Sequence, residues 1–266
     1  MEKLISSYFY KTTILFLLLT SLGCSDSKKD NTPWIFLFDG ETLNGWTIKG
    51  GEAQYEVRDE IIVGITAHNT PNTFLTTDKM YGDFILELDY KVDSSMNSGI
   101  QIRSNSFPHY RNGRVHGYQI EIDPSERAWS AGIYDEARRG WLNTMDNNPK
   151  AQQAFKQNDW NHYRIEAIGD TLKTWINDVP ASYLIDEKTS SGFIGLQVHS
   201  IGKEQNAGTE IQWKNIRILT DSLTKYSRKS PLTPIITKNQ LTTDEEKNGW
   251  KLLWDGSTTE GWRGHH

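Results

Sequence analysis

Between Trp34 and Leu219 the chain alternates apolar and polar residues with a period of two, segment after segment. "QYEVRD", "IIVGIT", "DFILELDYKV", "SGIQIRS", "GYQIEID", "NHYRIEAIG", "TLKTWIND", "GFIGLQVHS" and "EIQWKNIRIL" each show this alternation or a short apolar run. Successive side chains of a strand point to opposite faces, so this period belongs to strands with one face buried. Gly, Asn and Asp punctuate the series, and "IND" before Val-Pro reads as a turn between two strands. Only "PKAQQAFKQ" (Pro149–Gln157) has the composition of a short helix. Many antiparallel strands and almost no helix predict an all-β, two-sheet sandwich, and a jelly roll suits a domain of about 190 residues.

Composition narrows the partners. Ten Trp and eleven Tyr accompany a modest 36% hydrophobic content. Flat rings suit pleated faces, and they also stack on the C–H faces of sugars. The formal net charge is −5 and no basic stripe is present, which argues against nucleic acid.

The two ends read differently from the middle. "MEKLISSYFYKTTILFLLLTSLGC" has an early Lys, an apolar run over Ile14–Leu19 and small residues before Cys24, the only cysteine. Residues 1–24 therefore read as a lipoprotein signal peptide, too short to span a membrane as a helix, with lipidation expected at Cys24. Residues 25–33 read as a polar tether. The expected location is the cell envelope, on the periplasmic face or the outer-membrane surface, held to the membrane by the lipid. With no second cysteine, disulfides do not hold the fold. Residues 220–248 lose the alternation and read as a linker. The phrase "FLFDGETLNGW" (Phe36–Trp46) then returns as "LLWDGSTTEGW" (Leu252–Trp262), with Asp, Gly, Thr, Gly and Trp at the same spacing. Residues 249–266 are thus expected to be the start of a second copy of the 34–219 module. Eighteen residues cannot bury a core of their own, which predicts either a longer two-module protein or a vestigial start.

Alternation also locates a candidate cleft. In "SGIQIRS", Ile100 and Ile102 face one way and Gln101 and Arg103 the other. In "GYQIEID", Tyr118, Ile120 and Ile122 oppose Gln119, Glu121 and Asp123. In "GLQVHS", Leu196 and Val198 oppose Gln197 and His199. Amides, carboxylates, an Arg and a His on one face are unlike the Lys, Glu, Thr and Ser of an ordinary solvated face. After the second of these strands, "PSERAWSAGIYDEARRGWL" (Pro124–Leu142) reads as a loop dense in charge and aromatic rings, among them Glu126, Arg127, Trp129, Tyr134, Asp135, Glu136, Arg138, Arg139 and Trp141. Loops beside a rigid sheet commonly carry function.

With these residues in view, the chain resembles the 3-keto-disaccharide hydrolase domain family, a family of concanavalin A-like sandwiches. The resemblance rests on "LFDGETLNGW", "NSGIQIRS", "GYQIEID", "GIYDEARRGWL", "WNHYRIEA", "GFIGLQVHS" and "WKNIRI", in that order over about Trp34–Leu219. It implies an exported bacterial enzyme acting on an oligosaccharide or glycoside already oxidised at C3, with a sugar 3-dehydrogenase as functional partner. A C3 ketone acidifies the C2 proton; a base removes it and the C1 oxygen leaves by β-elimination, with or without later addition of water. Such a site needs a base near C2–H, donors or a cation at the enolate oxygen, and an acid for the leaving oxygen. The expected catalytic set is Glu121, Asp123, His199 and Arg103: Glu121 or His199 as base, Arg103 with Gln197 at the oxyanion, Asp123 or His199 as acid. Glu121, Asp123 and His199 are also the candidate ligands should a divalent metal ion take part. Gln101, Gln119, Gln197, Tyr134, Asp135, Glu136, Arg138, Arg139 and Trp141 are the expected substrate contacts.

Two rivals share the sandwich. "EIDPSE" also fits the E-x-D-x-x-E of laminarinase-type retaining glycosidases, although Pro124 should end the strand before Glu126. A non-catalytic carbohydrate-binding module is the other. Convergence of Glu121, Asp123, His199 and Arg103 would favour an enzyme; a flat shelf of Trp129 and Trp141 would favour binding alone.

Overall fold

The computed structural model of the chain describes residues 33–237, 241, 243–254 and 258–264. Cys24 and the leader lie outside these residues. In chain order the strands are β1 (Ile35–Phe36), β2 (Trp46–Gly50), β3 (Gln54–Arg58), β4 (Ile61–Ile65), β5 (Thr73–Thr77), β6 (Phe84–Val92), β7 (Ser98–Asn105), β8 (His116–Ile122), β9 (Ile133–Glu136), β10 (Gly140–Asn143), β11 (Asn161–Ile168), β12 (Thr171–Ile176), β13 (Val179–Ile185), β14 (Phe193–Val198), β15 (Glu210–Leu219) and β16 (Ile235–Ile236). Short helices α1 (Pro149–Ala154), α2 (Leu223–Tyr226) and α3 (Thr243–Lys247) complete the described elements.

The strands make two sheets. One runs β16-β13-β12-β11-β6-β15-β4-β3, with β1 also on β15; the other runs β10-β9-β8-β7-β14-β5-β2. Every alternating segment of the sequence is a strand, and α1 falls within Pro149–Gln157. The expected all-β two-sheet sandwich is what forms. Between the sheets lie the apolar halves of the alternation: Leu86, Leu88 and Tyr90 from β6, Ile100 and Ile102 from β7, Tyr118, Ile120 and Ile122 from β8, and Ile165 from β11. Removing such side chains from water supplies most of the drive to fold. Tight hairpins need left-handed backbone at both turn residues, which Asn and Asp tolerate. Asn177 and Asp178 have φ of 48° and 66° between β12 and β13, as the "IND" turn predicts.

Two expectations change. The charged stretch Pro124–Leu142 is a loop only in part, because Ile133–Glu136 and Gly140–Asn143 pair as an antiparallel hairpin on the edge of the second sheet. Much of the expected linker 220–248 is also bound to the sandwich. Arg164 donates to the carbonyl of Tyr226 at 2.6 Å, Ser227 Oγ donates to Glu166 at 2.7 Å, the Arg228 N–H reaches Glu166 at 2.9 Å, and β16 adds to β13. The strap supplies donors that a buried carboxylate would otherwise lack. Ser, Thr and charge mark a linker by composition, but here they are the partners of Glu166 and Arg164.

At the described residues the repeated phrase makes the same local bonds twice. Trp46 Nε1 donates to the carbonyl of Leu37 at 2.8 Å, and Trp262 Nε1 donates to that of Leu253 at 2.9 Å. The Trp46 N–H bonds Leu43 O, and the Trp262 N–H bonds Thr259 O. The surroundings differ. Phe38 and Trp46 are buried, whereas their counterparts Trp254 and Trp262 are about half exposed.

Candidate functional site

The outward face of the second sheet carries a cleft of about 920 Å³. Its floor comes from β8 and β14, whose inward residues are the core. Gln119, Glu121 and Gln197 line it, with His199 just past the end of β14. One wall holds Tyr134 and Glu136 from β9, Trp141 from β10 and Arg127; another holds Asn72, and Asn97 stands beside Glu121.

Glu121 is the centre of a polar ladder. Asn97 Nδ2 donates to its Oε1 at 2.6 Å and Gln119 Nε2 to its Oε2 at 2.9 Å. Gln119 Oε1 accepts from Gln101 at 2.6 Å and from Gln197 at 2.9 Å, and Ser104 Oγ donates to Gln101 Oε1 at 2.6 Å. Gly99, opposite Glu121 in the register, makes this possible: a Cβ there would stand 2.5 Å from Gln119 Cγ and Cδ. The missing side chain lets the Gln119 amide lie flat on the sheet. The Glu121 backbone is also fixed, since Tyr163 Oη from the facing sheet donates to its carbonyl at 2.5 Å. Burial pushes the Glu121 carboxyl up to about 7, against the lowering pull of Asn97 and Gln119. A carboxylate so placed can hold and release a proton at neutral pH.

Arg127 is the cation beside it. Its Nη2 lies 3.9 Å from Glu121 Oε1, and its Nε donates to Asp123 Oδ2 at 2.7 Å. Its guanidinium carbon sits 4.5 Å from the Trp129 ring centroid and 5.0 Å from that of Trp141. Aromatic faces and a carboxylate thus hold one positive charge at the cleft. On the far side Arg114 approaches Glu136 at 3.4 Å, and burial raises the Glu136 carboxyl. His199 Nδ1 lies 2.7 Å from the carbonyl of Ser200. A carbonyl only accepts, so Nδ1 carries the hydrogen and Nε2 is left to the cleft.

Several expected residues take other places. Arg103 does not line the cleft. A bulge in β7 between Ile102 and Asn105 puts Arg103 at φ 45° and breaks the alternation. Its guanidinium, 1% exposed, donates to the carbonyls of Gly82 and Gly169 and to Asp83. Asp123 lies just past the end of β8 and organises the loop: it accepts from Ser125, Arg127 and the Trp129 N–H, so it serves the cleft only through Arg127. Gln101, the cross-strand partner of Gln119, does not line the cleft. Asp135 points away from the cleft because it alternates with Tyr134 and Glu136. It binds Arg138 and Arg139, and Arg139 goes on to Asp186, so these three are structural rather than substrate contacts.

Glu121, Asp123 and His199 do not fit a metal site. Both Glu121 oxygens accept from amides and both Asp123 oxygens are taken. Among the described residues no group of three or more His, Cys, Asp or Glu could hold an ion. Glu126 is exposed in the loop beyond β8, so the laminarinase-type pair is not assembled. Trp129 and Trp141 meet edge to face at 80°, which is not a flat shelf. Convergence is likewise partial: Glu121 and His199 share the cleft, while Asp123 and Arg103 do not line it. Sequence reasoning misses Asn97 and Arg114 as site residues and places Arg127 only among the loop's charges. Asn97 has a signal, since Asn97, Gly99 and Gln101 share a strand face and Asn97 stands one residue before "SGIQIRS". Arg114 has none, because a turn and not a strand sets its position.

The fold and site define a sandwich with a buried, neutral-range carboxylate in an aromatic-walled polar cleft, a carbohydrate-related class of protein. The chain belongs to the 3-keto-alpha-glucoside-1,2-lyase-like domain family, which matches residues 33–219. Among solved structures it is similar to a presumed glycosyl hydrolase of Parabacteroides distasonis ATCC 8503, at 18% identity and a TM-score of 0.51 over 70% of this chain and 93% of that one. A carbohydrate-binding module, CBM66, of Bacillus subtilis aligns at 16% identity and a TM-score of 0.45, covering 68% and 98% of the two chains. A presumed beta-glucanase of Mycobacterium abscessus gives 13% identity and a TM-score of 0.45 over 69% and 100%. The chain has no match among curated proteins.

Proposed function

We propose that the protein cleaves 3-keto-glycosides by β-elimination, with Glu121 as the base. The observation that carries this is Glu121 itself: a buried carboxylate held at a neutral-range pKa on the floor of a sugar-sized cleft, in a chain of this family. In the proposed step Glu121 takes the C2 proton and the C2–H electrons form the enolate with the C3 carbonyl. The enolate then expels the C1 oxygen, giving a 1,2-unsaturated 3-keto sugar. Arg127 supplies positive charge beside Glu121 for the enolate, the part first expected of Arg103. His199, whose Nε2 is left to the cleft, is the group placed to protonate the leaving oxygen. No water enters this step; hydration of the product is a separate event. Glu121 pairs with a cation rather than with a second carboxylate, which favours proton abstraction from carbon over a two-carboxylate displacement.

The test is cleavage of a 3-keto-glucoside beside its unoxidised parent. Turnover of the keto-sugar alone, with an enone absorbance in the product, is expected. Hydrolysis of the parent at a comparable rate would sink the elimination reading, and binding without turnover of either would leave a sugar-binding module.

Export and anchoring belong to the same proposal. Cys24 after an apolar run supports lipidation, with residues 25–33 as tether and a sugar 3-dehydrogenase supplying the oxidised substrate. Cells fed radiolabelled palmitate should label the wild-type protein and not Cys24→Ala. Label retained in the variant would dismiss the anchor.

A further inference from the structure

The polarity of the amide ladder follows from one group. An ionised carboxylate only accepts, so Gln119 must turn its NH2 toward Glu121 and its oxygen away. That oxygen then requires donors, and both Gln101 and Gln197 turn their NH2 groups to it. Gln101 ends with its own oxygen satisfied by Ser104. Gln197 does not: its Oε1 is buried without a hydrogen-bond partner, on a side chain with 0% exposure that lines the cleft. Turning the Gln197 amide over would set two carbonyl oxygens against each other. The stranded acceptor is therefore fixed by Glu121 through two amides, on a side chain that lines the cleft.

A buried acceptor in a binding cleft selects for a donor. Only the Gln119 amide separates the Glu121 carboxylate from the Gln197 amide, and both residues line the same cleft. We infer that Gln197 Oε1 receives a hydroxyl of the same sugar ring that gives its proton to Glu121. Gln197 is then a specificity-determining residue: it rejects rings in which that hydroxyl is missing, methylated or oxidised. This rests on the sugar-cleft reading above and adds the substrate feature that the cleft reads.

The test is a comparison of a 3-keto-glucoside with its 2-, 4- and 6-deoxyfluoro analogues, since fluorine keeps the size of a hydroxyl and donates nothing. In the wild type, kcat/KM should fall by about 30-fold or more for one analogue beyond the loss seen for the others. In Gln197→Met the same substitution should cost less than about 3-fold, because no acceptor remains to be left unpaired. The ratio is read within each protein, so a general loss of activity in the variant does not obscure it. The wild-type ratios alone also decide: if all analogues stay within about 3-fold of the parent, the inference is overturned. An equal penalty in wild type and Gln197→Met overturns it too. Should the keto-sugars not turn over, the same ratios are taken from calorimetric Kd values of methyl α-glucoside and its fluoro analogues. A selective penalty there keeps Gln197 while the elimination reading fails; no binding of any glycoside removes both.

Discussion

Glu121→Gln should lower kcat for 3-keto-glucoside cleavage by about 10³-fold, the scale a positioned general base contributes. The acid limb of the wild-type kcat/KM profile should rise with pH through about 7. The sign follows from the role: the base works as carboxylate, and burial holds it protonated to unusually high pH. In Glu121→Gln the new amide would also present one NH2 and one oxygen to two donors, Asn97 and Gln119, so the ladder cannot keep its polarity. Glu121→Asp separates the two effects. It keeps a carboxylate that accepts from both amides but withdraws it by one methylene, and should lose about 10²-fold while retaining a rising pH limb. The pH–rate profiles of both variants check this. A Glu121→Gln enzyme with more than about a tenth of wild-type activity would move the base elsewhere, with His199 Nε2 next to be tried.

Gly99→Ala should disable the site with a small loss of fold stability. The added methyl would lie 2.5 Å from Gln119 Cγ and Cδ, so the Gln119 side chain has to leave its bed on the sheet. Glu121 then keeps only the Asn97 donor. Burial, already the largest influence on this carboxyl, acts with less opposition, so its pKa rises further and less of it is ionised at neutral pH. At pH 7 kcat/KM should fall about 10-fold or more, with the rising limb moved to higher pH. Overpacking at one position costs about 1–3 kcal/mol, so the protein should remain folded with a Tm a few degrees lower. The outcome that counts against the ladder is a pH limb unchanged from wild type together with an unchanged rate. A simple packing defect would lower Tm without moving that limb.

The two variants probe different levels of the same construction. Glu121 touches the reacting carbon in the proposed step; Gly99 touches nothing of the substrate and acts through Gln119. Neither Asn97 nor Arg127 would be reached by reading Glu121 alone. Asn97 is one strand step beyond Gly99, and Arg127 is delivered by a loop that Asp123 folds. Asp123 shows how a correct face assignment can give a wrong role. It follows Glu121 by two residues, as alternation requires. Strand β8 ends at Ile122, however, and the Asp123 oxygens turn to Ser125, Arg127 and the Trp129 N–H.

The features legible in the residues alone are those that depend on near neighbours. Period-two alternation fixed the strands, the core face of each, and the shared outward face of Gln119, Glu121 and Gln197, because a strand's side chains alternate whatever it pairs with. The Trp46-to-Leu37 bond is equally local, and it forms again between Trp262 and Leu253 where the ring stays about half exposed. Tertiary structure decided the rest. A bulge, set by pairing with β8 and β14, swung Arg103 away from the face that alternation had given it. Pairing of β9 with β8 sorted Tyr134 and Glu136 into the cleft and Asp135 away from it. The strap after β15 became partner to Glu166, and burial between strands, not the identity of Glu121, raised its proton affinity. Each of these depends on which distant groups arrive alongside, and a one-dimensional pattern carries no record of that.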